Sequence, residues 1–276
     1  MLDTGTLAQR SGRLNDAFRW SRGRLKYARQ ARLDMLRQIG GMHYAGGGGD
    51  RVPMNLMELT RTIYLNLLIA SPPASMVSTS VLALKPRALD FEAVLNMCIE
   101  RSGMYDILRN CCDDGLFGMG IIRLGLVRAG ELDDGWGGTV EYGRPGLFRV
   151  DLDDWVHDMT ASRWETVGYM GHRYTVDLEA AKEERVFNKT LREALDVPDN
   201  PSHNEDGDER ALNLQTGGEQ NDTRQHRDRT ELWDIYFPEE RKVCTYAALP
   251  DGLGEKPLRE MEWTGPGLGP YHRLSY

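Results

Sequence analysis

Between residues 6 and 39 the apolar positions Leu7, Leu14, Phe18, Leu25, Ala28 and Leu36 return close to one helical face while most arginines fall elsewhere, which predicts one or two amphipathic helices. Gly40-Gly41 and the run Gly46 to Gly49 then stop the pattern and form a hinge. Pro53 suits a first helical turn, and Leu56, Leu59, Ile63, Leu67 and Ala70 continue a single apolar stripe up to Ser71-Pro72-Pro73, which predicts a second helix. Met76 to Leu84 (MVSTSVLAL) alternates in the manner of a strand closed by Lys85-Pro86. Phe91, Val94, Leu95 and Cys98, then Tyr105, Leu108, Cys112 and Leu116, carry helical spacing from about Leu89 to Phe117, with Gly103 as a point of interruption.

The second half reads differently. GLFGMGIIRLGLVRAG, from Gly115 to Gly130, is a helix ending on glycines, then a strand beginning near Gly120 and closing in a turn at Asp133-Asp134-Gly135. Short strands are predicted at GTVEY, LFRVD, ETVGYMGHRYTV, ELWDIYF and KVCTYAAL, and a helix from Asp177 to about Leu195. Residues 196–230 hold almost no large apolar side chain, so burial cannot offset the entropy of ordering them, and a mobile surface loop is expected. The whole implies an α+β chain in which amino-terminal helices accompany a small antiparallel sheet or barrel, not repeated βαβ units. Two regions follow: residues 1–45 as a basic helical arm with its hinge, and residues 46–276 as the body.

Charge sharpens the division. The net charge is −8, yet residues 1–40 carry nine Arg/Lys against three acids, a balance of +6 that leaves −14 on the rest. Such an arm suits either a nucleic acid or an acidic neighbouring subunit. The four cysteines, Cys98, Cys111, Cys112 and Cys244, lack any CxxC spacing and are expected as free thiols. No apolar run reaches the roughly 18 residues needed to cross a bilayer, and the first residues lack the apolar core of a signal peptide.

Candidate chemistry is sparse. GLFGMG lacks both GxGxxG order and the lysine-hydroxyl pair of a phosphate loop. The segment VDLDDWVHD gathers Asp151, Asp153, Asp154, His157 and Asp158, enough oxygen donors for a hard cation, but without the alternation and central glycine of a calcium loop. It reads either as a metal site or as a solvated acidic edge. The six histidines are scattered, no GxSxG or HExxH motif occurs, and the tryptophans lie mostly beside strands, where packing is their ordinary role.

The collinear order of these features resembles the amino-terminal, wing-forming region of podovirus-type portal proteins, the head-to-tail connectors of tailed bacteriophages. The phrases that carry the resemblance are NLMELTRTIYLNLLIASPP leading into MVSTSVLALKP, LRNCCDDGLFGMGIIRLGL, LFRVDLDDWVHDMTASRWETVGYMGHRYTVDLEAAKE, and ELWDIYFPEERKVCTYAALPDG. It spans about residues 5–276, and the stem, clip and crown that such portals carry further along are absent from this sequence. The resemblance implies a structural virion protein: a homo-oligomeric ring of about twelve subunits at one capsid vertex, through which double-stranded DNA is packaged and ejected without sequence-specific binding. It implies capsid protein, terminase and tail adaptors as partners, assembly in the bacterial host cytoplasm, no cofactor, no membrane and no catalytic activity. On that reading the arm residues Arg10, Arg13, Leu14, Phe18, Arg22, Arg24, Leu25 and Arg29 are the candidate subunit contact. A metal-dependent nucleic-acid-processing enzyme built on Asp151 to Asp158 is the alternative.

Overall fold

The computed structural model describes residues 7–40, 55–133, 139–197, 228–250 and 252–275, with the side chains of residues 7–11, 128–133 and 139–142 set aside. The expected hinge beyond Gly40, Pro53, the tip of the first hairpin at Asp134-Gly135 and most of the polar loop therefore lie outside the described residues. The chain is α+β and divides into two compact units, one of residues 1–46 and 151–269, the other of residues 47–150 and 270–276.

In the first unit, α1 (Leu7–Ile39) is one uninterrupted helix. The antiparallel strands β3 (Trp155–His157), β4 (Met170–Asp177), β5 (Arg229–Phe237), β6 (Lys242–Leu249) and β7 (Gly252–Leu253) pair in that order, and β8 (Arg259–Glu262) also pairs with β6. Among the described residues the sheet is open, and the closed barrel that the sequence left possible does not form. Because side chains alternate across a strand, the register sorts the two faces. Trp233, Ile235, Cys244 and Tyr246 look one way and pack with Phe18, Leu25, Val156, Tyr169 and Leu253. Leu232 and Ala247 look the other way and pack with Leu178, Ala181, Phe187, Leu195 and Leu258.

The helix expected from Asp177 to Leu195 forms as two short pieces, α5 (Leu178–Glu183) and α6 (Lys189–Glu193). Each begins on its own side-chain cap: Asp177 accepts from the backbone of Glu179 and Ala180, and Asn188 from Thr190. The cap at Asn188, inside the predicted span, marks where a new helix starts. Strand β5 begins at Arg229, so the ordered sheet takes back the last residues assigned to the polar loop.

In the second unit, α2 (Leu56–Leu68), α3 (Lys85–Arg101) and α4 (Met104–Leu116) precede a three-stranded antiparallel sheet. Its order is β2 (Thr139–Val150), β1 (Gly120–Asp133), β9 (Tyr271–Leu274). The predicted GTVEY and LFRVD strands are the two ends of β2, which runs without a break through Pro145. Gly103, at φ 63, occupies the left-handed conformation that a side chain resists and separates α3 from α4 where the sequence placed the interruption.

The expected strand at Met76–Leu84 does not form. Residues 76–80 have no regular structure and Leu82–Leu84 make a turn of 3-10 helix that runs into α3 at Lys85. The backbone there is served by side chains of α3: Asn96 accepts from Ser75 N at 2.8 Å and donates to Ser75 O at 3.1 Å, and Glu92 accepts from Val77 N at 3.0 Å. Alternation alone could not distinguish a strand partner from these helix-borne mimics of one.

All four cysteines are free, and Cys111, Cys112 and Cys244 are buried. Burial pushes the Cys111 and Cys244 thiols up to about 12, and the Tyr169 phenol likewise up to about 12. The folded state therefore holds protons that the unfolded chain releases at lower pH, so stability is complete below the ordinary thiol range and declines as pH rises towards 12. Urea unfolding at pH 8, 9.5 and 10.5 should show a falling midpoint; an unchanged midpoint would mean that these groups open to water before unfolding.

Candidate functional site

The two features singled out in the sequence, the basic helix and the acidic segment, meet each other within the first unit. Asp151 caps a 3-10 turn by accepting from Asp153 N, and that turn (Leu152–Asp154) feeds β3. Arg29 reaches across from α1, donating from Nε to Leu152 O at 3.1 Å and from Nη2 to Trp155 O at 2.9 Å. Its Nε also stands 3.8 Å from the buried carboxylate of Asp153, and Arg32 lies 3.8 Å from Asp151. Arg173 of β4 donates twice to Asp154, at 3.0 and 2.8 Å, while its other nitrogen stands 3.5 Å from Glu231. Asp158 accepts from the backbone and hydroxyl of Thr160 and from Gly168 N.

The acidic segment is therefore not a solvated edge. Asp151, Asp153 and Asp154 are matched with arginines and Asp158 holds a turn, so four carboxylates that might have gathered round a cation face four different neighbours. His157 is turned to aromatic company: its Nδ1 accepts from Trp155 Nε1 at 3.0 Å, with Trp164 alongside both rings. Among the described residues no group of three or more His, Cys, Asp or Glu side chains could hold a metal ion.

The arm residues divide by the face of α1 they occupy. Phe18 is fully buried and meets Trp233 edge-on, centroids 4.9 Å apart at 87°, an arrangement that aromatic quadrupoles favour. Leu25 is buried and Leu14 half-buried in the same cluster. Arg22 is half-buried with its guanidinium 5.8 Å from the Trp233 ring, on which Arg173 also lies. Arg13 and Arg24 are exposed, Arg24 resting over Trp20, and the side chain of Arg10 lies outside the described residues. The apolar face of the arm, which the sequence reading left for a neighbouring subunit to cover, is covered by the chain's own sheet. Ala28, counted on that face, is exposed.

Three polar contacts that sequence reasoning passed over complete the attachment. Ser21, wholly buried, accepts from Tyr169 OH at 2.8 Å and from Met159 N at 3.3 Å. Asn15 accepts from Leu253 N at 3.1 Å. Gly252, beside it, has φ 152, and a Cβ there would stand 2.1 Å from Asn15 Oδ1, so this position needs glycine for both conformation and space. The third is Arg32, only 4% exposed. The available signal was spacing: Ser21 and Arg32 fall at three- and four-residue steps among Leu14, Phe18, Leu25 and Leu36, inside the stripe that must be buried. On the far face of the sheet, Asp234 accepts from Thr245 Oγ1 at 2.7 Å and Tyr174 OH at 3.1 Å, with Arg259 at 3.7 Å. It too is consumed by structure.

No protein-family model matches this chain, and no curated protein matches it.

Replacing Arg29 by Met removes two hydrogen bonds to carbonyls and leaves Asp153 buried without its nearest cation, which should cost about 2–3 kcal/mol; Phe18→Ala should cost about 3–5 kcal/mol. Millimolar magnesium, manganese or calcium should leave the melting temperature within about a degree of the metal-free value, since only a ligand that favours the native state raises it. A rise of several degrees, abolished in Asp153→Asn/Asp154→Asn, would establish a metal site and defeat the arginine-matched reading.

Proposed function

We propose that this chain is a structural subunit of a tailed-bacteriophage portal, one copy of a ring at a capsid vertex through which double-stranded DNA passes. The role is mechanical: to assemble with its own kind, to dock capsid protein, terminase and tail adaptors, and to surround DNA without gripping it. The observation that carries this reading is the apolar surface of the second unit. Leu56, Leu59, Ile63 and Leu67, the stripe of α2, are 50–72% exposed, and no residue of α3 is buried. Isolated exposed leucines are ordinary, whereas a whole amphipathic face turned to water is the mark of a protein that completes its core by assembly.

Charge supports the same reading. With the arm's arginines partly spent on its own acidic segment, the chain keeps its net −8 and has little reason to hold a polyanion tightly. The alternative, a metal-dependent nucleic-acid-processing enzyme using Asp151 to Asp158, needs carboxylates converging on one point, and here they diverge onto Arg29, Arg32, Arg173 and Thr160.

The test is electron microscopy of the concentrated protein together with a nuclease assay in magnesium or manganese. Rings with an axial opening and no cleavage of duplex or single-stranded DNA are expected. A chain that stays monomeric and cleaves DNA with metal, losing the activity in Asp153→Asn, would overturn the proposal in favour of the enzyme.

A further inference from the structure

We infer that the outward face of α1 binds single-stranded nucleic acid, weakly and without sequence preference, taking phosphates on its basic rows and bases on two exposed rings. This goes beyond the portal ring and does not depend on it. At 100° per residue, Trp20 and Tyr27 fall within about 20° of one line along the helix, two turns and ~10 Å apart. They are 46% and 81% exposed. Arg13 and Arg24 flank that line on one side and Arg19 and Lys26 on the other, all four exposed. The Arg24 guanidinium already lies over the Trp20 ring at 5.4 Å. Between the rings and the row of Arg19 and Lys26 stands Gly23, where a Cβ would meet nothing within 4 Å, so bare backbone there is open to close approach.

Charge narrows the partner to something acidic. The exposed charges within residues 12–30 are Arg13, Arg19, Arg24 and Lys26 against Asp16, four less one, or +3, on a chain of net −8. An acidic protein surface and a nucleic acid would both answer that charge, and the rings decide between them. A carboxylate-rich surface would meet the cations and leave Trp20 and Tyr27 in water. A strand offers phosphates to the cations and the flat face of each base to the rings, which stack with any base. Duplex DNA keeps those faces stacked inside, so the open strand is the better fit. The acidic segment, the natural candidate for a protein complement, is matched within its own chain, where Asp151, Asp153 and Asp154 face Arg32, Arg29 and Arg173.

The same charges bound the strength. Four cations neutralise at most about four phosphates, so the logarithm of the affinity should fall with the logarithm of salt at a slope no steeper than about −3. The acidic remainder of the chain opposes the contact. A dissociation constant in the nonspecific range, ~1–100 µM at physiological salt, holds a strand briefly and lets it go. Contact of that strength leaves the passage of duplex DNA through a ring unimpeded.

Fluorescence anisotropy on the full chain tests this, with a labelled oligothymidylate of about 15 nucleotides, the matching oligouridylate and a duplex of equal length. Three variants are compared: Arg13→Ala/Arg24→Ala/Lys26→Ala for charge, Trp20→Ala/Tyr27→Ala for the rings, and Trp20→Phe/Tyr27→Phe, which keeps a ring at both places. All these positions are exposed, and far-UV spectra and melting temperature check that each variant folds. Both alanine variants should bind the single strands at least ~10-fold more weakly, and the phenylalanine variant should stay within about threefold of the unaltered chain. The duplex should bind more weakly than either strand. Single-strand binding that survives unchanged without the charges or without the rings overturns the inference. Equal affinity for duplex and single strand, indifferent to the rings, reduces the face to a phosphate contact and overturns it as well. If no oligonucleotide binds below about 1 mM, far outside the nonspecific range, while polyglutamate binds the unaltered chain and not the charge variant, the partner is an acidic protein and the inference fails.

Discussion

Two adjacent aspartates on α4 set the arrangement of the second unit. Asp113 takes Arg61 of α2, and Asp114, 3% exposed, takes Arg149 of β2 through two hydrogen bonds of 2.5 and 2.8 Å. Neighbouring residues on a helix point about 100° apart, so this pair ties one helix and one strand to two sides of α4. Asp114 is the buried member of the two, and leaving it without Arg149 would be costly. The Arg61–Asp113 pair, part-exposed at both ends, lies on the side of α2 that faces α4, and the apolar arc of Leu56, Leu59, Ile63 and Leu67 lies on the other side.

The first unit solves the opposite problem. There α1 puts its apolar stripe inward and stitches it with polar contacts at intervals: Asn15 to the β7 backbone, Ser21 to Tyr169, Arg29 to two carbonyls. Hydrogen bonds to a charged group at fixed carbonyls give direction as well as energy, and they fix how far along its axis the helix can slide. Trp233 serves as the platform, with Phe18 at its edge and the guanidinium groups of Arg22 and Arg173 each 5.8 Å from its ring. The arm is thus part of a core. Removing residues 1–40 would strip Phe18 and Leu25 from the sheet, so a deletion of that kind reports on folding before it reports on assembly.

Much of this was legible in the chain. The helices at α1, α2, α3 and α4, the break at Gly103 and the strands at β4, β5 and β6 follow from periodicities of three to four and of two. What was not legible depends on partners far apart in sequence. At the start of MVSTSVLAL the backbone is met by Glu92 at Val77, and just before it by Asn96 at Ser75, rather than by a strand. The cluster of Asp151 to Asp158 reads in sequence as either a cation site or a solvated acidic edge because its carboxylates are close along the chain; their partners, Arg29, Arg32 and Arg173, come from α1 and β4 and make it neither. Periodicity found the stripe of α2 correctly, but it identifies a face that must be covered and is silent on whether the cover belongs to the same molecule.

The same distinction separates α1 from α2 as candidate contacts. Both are amphipathic helices, and on sequence alone the basic one looks the better bridge between subunits. Coverage reverses the order: α1 has spent its apolar face and the arginines Arg22, Arg29 and Arg32 inside its own unit, leaving scattered exposed groups such as Arg13 and Arg24, for which an ion pair at a water-exposed rim is worth ~1 kcal/mol or less. The outward arc of α2 has spent nothing. Since burial of apolar area, not rim charge, supplies most of the free energy of stable association, the exposed face of α2 is the stronger ground for assembly.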